Sequence, residues 1–238
     1  MKQLFTILTF LLTTISYSQK VGDINNFYNG KIVNDSSFKY FISFLNKFDS
    51  TNIDCEKAAE RIGDYYKFKK DYLKAIAYYD SADTKYSHYK MCGNHVLMDL
   101  IPRRYKISQC YLELNNPKQA VSILTRYIFD DFASDYFDST MTLYYSRTLR
   151  RIYSNQEIQS EIKKSIDSAK YVTADRWSRD SSSKELFVSC KIKIFDTEIE
   201  LAGFETSLEN DNKIPRYLTK ESFLKHFQRF KIYKELHN

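Results

Sequence analysis

The side chains best spaced for chemistry are His88, Cys92 and His95, because imidazole and thiolate groups are the usual ligands of zinc and related metals. Their offsets of four and three would place them on one face of a continuous helix. However, Gly93 weakens a helix there, and no fourth ligand lies nearby in the sequence. We therefore predict ordinary surface or core residues at these positions, with no metal centre and no cofactor.

A second group of polar residues is acidic and resembles the ligand set of a hard cation. Its members are Asp130, Asp131, Asp135 and Asp138. No glycine stands at the sharp-turn position that a calcium-binding loop needs, so a solvated helix end or loop is the better interpretation.

Catalytic machinery is not visible in the sequence. The chain contains no nucleophile elbow, no glycine-rich phosphate loop and no pair of histidines with metalloprotease spacing, and it has only four histidines. Two carboxylates could still meet in the fold, as in glycoside hydrolases, and we keep a hydrolase as an alternative. The prediction from the sequence is a protein that is not an enzyme.

Composition indicates the elements that would position any site. Among 238 residues there are only 5 glycines and 3 prolines, which argues against a turn-rich all-β protein and favours a mainly α fold. The 36 basic and 30 acidic residues are spread along the chain without a basic block, so the net charge of +6 does not indicate nucleic-acid binding.

The N-terminal residues resemble a cleavable secretory signal. An apolar run from Leu4 to Ile15 follows Lys2 and is followed by small residues up to Ser18, so we predict a signal peptide over 1–18. The run is well below the roughly 20 residues that cross a bilayer. We expect an exported product, periplasmic or secreted, with a flexible arm over 19–35 and no membrane span after signal removal.

Export would make the four cysteines candidates for disulfides. They are Cys55, Cys92, Cys110 and Cys190, and they allow three complete pairings. The positions of Cys55 and Cys92, on either side of a predicted helical hairpin, weakly favour that pair. Four buried, reduced thiols remain the alternative.

The segment from Glu56 to Tyr89 has the pattern of two antiparallel helices that pack through small residues. Lys69-Lys70-Asp71 provides the turn, and Gly63 and Ala75 allow close approach of the two helices. The apolar and small residues that define the pattern are Ile62, Gly63, Tyr66, Ala75, Tyr79 and Ala82.

This segment resembles a tetratricopeptide repeat, a unit that stacks on copies of itself into a helical solenoid. Applying the same offsets around Ala120 predicts a second unit from about Ile101 to Ser134, with Asn115-Asn116-Pro117 at its turn. Its equivalent positions are Ile107, Ser108, Tyr111, Ala120 and Leu124. The separation of 45 residues exceeds the usual period of about 34, so we expect an insertion over 91–101.

The other segments complete the predicted architecture. The residues from Ser36 to Phe48 have the spacing of an amphipathic helix that caps the stack. A third, divergent repeat or plain helix pair is predicted from Leu143 to Ala174, with Leu149 and Tyr153 on its first helix. Its second helix carries Ile162, Ile166 and Ala169, and Arg150 stands where a small residue is expected.

Together these segments form a helical-repeat domain over 36–175, followed by an accessory segment over 176–238. In that segment, Arg176 to Lys184 resembles a polar connection, and Val188 to Phe204 alternates as a β-hairpin does, one more helix being the alternative. Thr219 is a plausible N-cap for one terminal amphipathic helix.

The repeat resemblance implies a concave groove lined by the first helix of each unit, with a protein or peptide as its ligand. The residues carried over to that groove are Glu60, Asp64, Lys67, Phe68, Tyr105, Gln109, Glu113, Arg147 and Arg151. Chaperone-binding members hold a peptide carboxylate with Lys and Asn where this chain has Glu60 and Asp64, so that ligand class is disfavoured. Glycan binding is the alternative, because tyrosine rings suit sugar faces.

Overall fold

The structure is a computed structural model of the chain, which describes residues 34–48, 52–86, 99–129, 139–177, 184–205 and 219–237. The described residues are mainly helical with one small antiparallel sheet, which confirms the predicted fold class at that level. The chain divides into two compact units, with the division after residue 88. Residues 1–33, the His88 group and the Asp130 group lie outside the described residues.

The first unit contains helices α1 (Asp35–Lys47), α2 (Ile53–Phe68) and α3 (Tyr72–Thr84). Helix α1 begins early because Asn34 and Ser37 cap it reciprocally, each side chain accepting from the other's backbone N–H at 2.9 Å. It packs on α2, where the Phe38 and Tyr65 rings stack 4.1 Å apart. The predicted first helix is confirmed, but the arm predicted to residue 35 overlaps its start.

Helices α2 and α3 form a hairpin, and they approach each other closely at Gly63, the smallest residue of the repeat pattern. A Cβ added to Gly63 would come within 2.6 Å of two ring carbons of Tyr79, closer than real Cβ contacts. Ile62, Ala75 and Tyr79 are fully buried beside it. The glycine is therefore required by the approach of α3.

The second unit begins with helices α4 (Ile101–Glu113), α5 (Pro117–Ile128), α6 (Ser139–Leu149) and α7 (Asn155–Asp167). Ser108 takes the position of Gly63 in the α4–α5 hairpin. Its buried hydroxyl donates to the Ala120 carbonyl at 2.7 Å, so the side chain hydrogen-bonds to the opposite helix. As predicted, the small positions of both hairpins, Gly63, Ala75, Ser108 and Ala120, are buried.

The turns of the two hairpins have the same hydrogen bonds at an offset of 45 residues. Asp71 N–H donates to the Tyr66 carbonyl at 2.9 Å, and Asn116 N–H donates to the Tyr111 carbonyl at the same distance. The residue before each donor, Lys70 or Asn115, has a left-handed backbone. This is the Schellman arrangement that ends a helix, and it makes the hairpins local copies of each other.

Helix α6 contacts both helices of the preceding hairpin through adjacent tyrosines. The Tyr144 hydroxyl lies 3.2 Å from Ser108 Oγ of α4, and the Tyr145 hydroxyl lies 3.0 Å from Thr125 Oγ1 of α5. Ser108 and Thr125 each donate their own proton to a backbone carbonyl, so the tyrosines are the donors. One turn of α6 is thereby fixed against two helices.

The sheet follows α7 and has the order β1-β2-β3, all antiparallel. Its strands are β1 (Lys170–Trp177), β2 (Lys184–Ile194) and β3 (Thr197–Glu205). Strands β2 and β3 are joined by Phe195 and Asp196, both with positive φ, as a two-residue hairpin turn requires. The predicted hairpin is confirmed, and the alternative of a further helix is wrong.

One face of the sheet belongs to the core of the second unit. The side chains that face it are buried and alternate along the strands: Val188, Cys190, Ile192, Ile194, Ile199 and Leu201. Lysines and glutamates between them are exposed on the other face.

Strand β1 corrects two sequence expectations. The third unit was predicted to reach Ala174, but α7 ends at Asp167 and β1 begins at Lys170, so only its helix pair is present. Tyr153 lies in the turn after α6 and Ala169 follows α7. The predicted polar connection from Arg176 also overlaps β1. Pairing with β2 along the whole strand accounts for the difference, because it supplies backbone hydrogen bonds that a helix would otherwise provide.

Two short helices, α8 (Lys220–Phe227) and α9 (Lys231–His237), replace the single terminal helix that was predicted. Thr219 caps α8, accepting from Ser222 N–H at 3.1 Å. The break between the helices lets the Phe227 and Phe230 rings meet edge to face at 5.5 Å in the core.

The terminal helices share their core with α5–α7 and the sheet, rather than forming a separate accessory core. The Phe227 ring stacks on Phe129 at 5.2 Å. Arg150, which stands where the repeat pattern expects a small residue, donates to Ser146 Oγ at 2.7 Å and to the Glu235 carbonyl at 3.1 Å. It joins α6 to α9.

Candidate functional site

The candidate site is the face that α4 and α6 form in the second unit. Tyr105 and Tyr144 meet there edge to face, with ring centroids 5.0 Å apart and planes at 88°. Both rings are half-buried. Tyr105 is a predicted groove residue, whereas Tyr144 was not predicted from the sequence.

The Tyr144 hydroxyl is held in place and stays protonated at neutral pH. Burial raises its pKa to about 12, opposed by its hydrogen bond with Ser108, while nearby Arg151 also lowers the pKa. The neutral hydroxyl gives its one proton to Ser108, so toward a ligand it can accept a hydrogen bond.

Two arginines extend this face along α6. Tyr144, Arg147 and Arg151 follow one another at offsets of three and four, which places them on one stripe of the helix and its final turn. Arg147 and Arg151 are exposed, and within the described residues neither guanidinium has a carboxylate partner. The stripe is suited to an anionic group with bidentate geometry.

The remaining predicted residues of the second unit lie on α4. Gln109 is half-buried, and Glu113 is exposed at the end of the helix. The structure therefore brings Tyr105 and Arg151 together around Tyr144, with Gln109 and Glu113 farther along the same helix as Tyr105.

The predicted groove residues of the first unit lie on α2 and differ in environment. Asp64 accepts a hydrogen bond from the Tyr79 hydroxyl at 2.8 Å and pairs with Arg61 at 3.3 Å, so it stabilises the hairpin. Glu60 and Lys67 are half-buried, whereas Phe68 is 64% exposed. These residues belong to the first unit, whereas Tyr105 belongs to the second.

A separate cleft of about 300 Å³ lies between α7 and the β2–β3 turn. The rings of Tyr153 and Phe195 are 5.7 Å apart in it. Burial raises the pKa of Tyr153, and three carboxylates contribute in the same direction: Asp196, Glu161 and Glu157.

These carboxylates do not form the buried acid pair that would favour a hydrolase. Glu157 caps α7, and its hydrogen bonds from Ser154 lower its pKa. The Asp196 side chain is 86% exposed.

The described residues include three buried cysteines but no metal-ligand cluster and no membrane-spanning helix. No group of three or more His, Cys, Asp or Glu is arranged there to hold a metal ion. Among the same residues, no helix combines the length and apolarity needed to cross a bilayer. Cys55, Cys110 and Cys190 are buried, and burial raises the pKa of Cys190 to about 12, while Cys92 lies outside the described residues.

Comparison of the chain with protein-family models, with curated proteins and with solved structures gives no significant match. The functional interpretation of the candidate site therefore rests on the geometry of its residues.

The sequence signal for Tyr144 was available but indirect. Its offsets from Arg147 and Arg151 indicate a shared helical stripe, yet only the contact with Ser108 shows that the stripe faces α4. A repeat offset alone does not identify it, because the third unit diverges from the pattern.

Proposed function

We propose that this protein is an exported tetratricopeptide-like scaffold that binds a segment of another protein or a peptide. The matched hairpins support the repeat interpretation, because both have a small residue at the helix crossing and the same turn. Export rests on the signal-like sequence of residues 1–18.

The observation that carries the proposal is the stripe of Tyr144, Arg147 and Arg151 beside Tyr105. Two exposed guanidinium groups that have no carboxylate partner among the described residues favour a ligand segment that carries a carboxylate. The tyrosine pair offers ring surface and a neutral hydroxyl next to that charge. The ligand is thus an acidic segment that contacts both the arginine guanidinium groups and the tyrosine rings.

Preorganisation supports binding rather than turnover as the activity. Tyr144 is already held by Ser108 and by the Tyr105 ring, so little side-chain freedom is lost when a ligand arrives. Its protonated hydroxyl is a hydrogen-bonding group, not a base.

The test is affinity capture with the chain from Gln19 onward, comparing it with an Arg147→Ala/Arg151→Ala variant. The partner captured by the original chain should be lost from the variant. Arg126→Ala is the matched control, because Arg126 is an exposed arginine of α5 in the same unit. Equal capture by the double variant would contradict the proposal.

Glycan binding is the second candidate, favoured by the cleft where Tyr153 and Phe195 lie among carboxylates. Rings that face sugar planes and carboxylates that accept from sugar hydroxyls are suited to a carbohydrate. Saturable binding on a glycan array that is lost in Tyr153→Ala but kept in Arg147→Ala/Arg151→Ala would support this candidate over the first.

A further inference from the structure

The turn of the first hairpin carries two large apolar side chains that face water. Phe68 ends α2 and is 64% exposed, and Leu73 lies in the first turn of α3 and is 68% exposed. They flank the turn Lys69-Lys70-Asp71, so both are at the same end of the hairpin. We call residues 67–74 the first tip.

Lysines surround this apolar pair. The first tip contains four lysines and one aspartate, a net charge of +3. Carboxylates lie close to Lys69 and Lys74: Lys69 lies 3.4 Å from Asp35, and Lys74 lies 2.7 Å from Asp71. Both pairs are largely exposed, so they are screened by water and leave the tip basic.

The second hairpin shows that this type of turn can form without the lysines and exposed apolar residues of the first tip. Its equivalent segment, residues 112–119, which we call the second tip, forms the same turn with one glutamate and one lysine, a net charge of zero. Glu113 stands in place of Phe68, Lys118 in place of Leu73, and Asn115 in place of Lys70. Both charged residues, Glu113 and Lys118, are exposed, as expected at a helix end.

We infer that the first tip is a docking site for the surface of an anionic lipid bilayer. Residues 68–70, 73 and 74 are all exposed, and an exposed turn of apolar and basic side chains suits a bilayer interface, whereas small-molecule sites are concave. The Phe68 ring and the Leu73 side chain enter the boundary between headgroups and acyl chains, and the lysines remain among anionic headgroups. This contact is peripheral and places no segment across the membrane.

The experiment measures co-sedimentation of the chain from Gln19 with vesicles of phosphatidylcholine, with and without phosphatidylserine. Starting at Gln19 removes the apolar run of residues 4–15, which would bind lipid by itself. Binding should require phosphatidylserine and should weaken as salt is added.

The decisive variant is Phe68→Glu/Leu73→Lys, which places in the first tip the residue types found at the equivalent positions of the second tip, Glu113 and Lys118. It leaves the net charge unchanged and uses side chains that this turn already accepts. Binding should fall about tenfold or more, because two buried apolar groups are lost. The far-UV circular dichroism spectrum and unfolding midpoint serve as the check on folding.

Lys70→Asn is the second variant, since Asn115 has the same left-handed backbone in the second tip. It should weaken binding to vesicles that contain phosphatidylserine, because one lysine is lost. Failure of the original chain to bind such vesicles, or equal binding by Phe68→Glu/Leu73→Lys, would overturn the inference. Capture of an acidic peptide by the tip without any binding to vesicles would also overturn it.

Discussion

Gly63 of α2 lies against the ring of Tyr79 of α3 so closely that a Cβ on Gly63 would come within 2.6 Å of it. The ring has no room to move, because it is fully buried and its hydroxyl donates to Asp64 at 2.8 Å. The contact therefore fixes the distance between the two helices, so a larger side chain at position 63 should be unfavourable.

Gly63→Ala should destabilise the protein, although alanine is the better helix former. The propensity gain is about 1 kcal/mol, and overpacking against a fixed ring costs about 1–3 kcal/mol. We expect a net loss, measured as the free energy of unfolding in urea. A more stable variant would show that Tyr79 can yield.

Asp64 should act on stability, although the repeat resemblance assigned it to the ligand groove. Removing the carboxylate in Asp64→Ala leaves the buried Tyr79 hydroxyl without that acceptor, at a cost of about 1–3 kcal/mol. In a double-mutant cycle with Tyr79→Phe, the two losses should not be additive. Additive losses would mean that the hydrogen bond contributes nothing.

Asp167 should make stability depend on acid pH. Lys163 and Lys220 hydrogen-bond to this carboxylate and lower its pKa from 3.8 to about 2. Because the folded-state pKa is lowered, the stabilisation is present above about pH 4 and is lost as the pH falls through 2. Melting temperatures should therefore separate Asp167→Asn from the original protein at pH 5 and converge near pH 2. A gap that does not change with pH would contradict this.

Lys170→Glu should stabilise the sheet. Lys170 is directly opposite Lys191, which pairs with Glu200 on the next strand at 3.5 Å. Replacing the like-charge pair by an opposite-charge pair should add about 0.2–1 kcal/mol. Lys170→Gln is the control for simple removal of charge and should give a smaller gain in urea unfolding.

The hairpins could be predicted because their information is local. Gly63 and Ala75, and Ser108 and Ala120, are each 12 residues apart, with turn residues at fixed offsets between them. The β2–β3 hairpin was predictable for the same reason, since its alternation and its turn lie within about 17 residues.

The parts that the sequence analysis missed depend on partners far along the chain. Strand β1 is defined by pairing with β2, and its short alternation around Val172 is not distinctive alone. The break between α8 and α9 depends on rings that pack on Phe129, about a hundred residues earlier. Tyr144 belongs to the candidate site only because Ser108 lies opposite it.

The bonds that join α9 to α6 and α7 have a consequence for the order of folding during synthesis. Gln159 donates to the Leu236 carbonyl at 2.8 Å, and Arg150 holds Glu235, so the core of the second unit closes only after residues 231–237 have been made. The core of the first unit is built from residues between Phe38 and Tyr86, so this unit can fold while the ribosome is still translating later codons. Under the proposed export, the second unit would stay open to the translocation machinery until residues 231–237 have been synthesised.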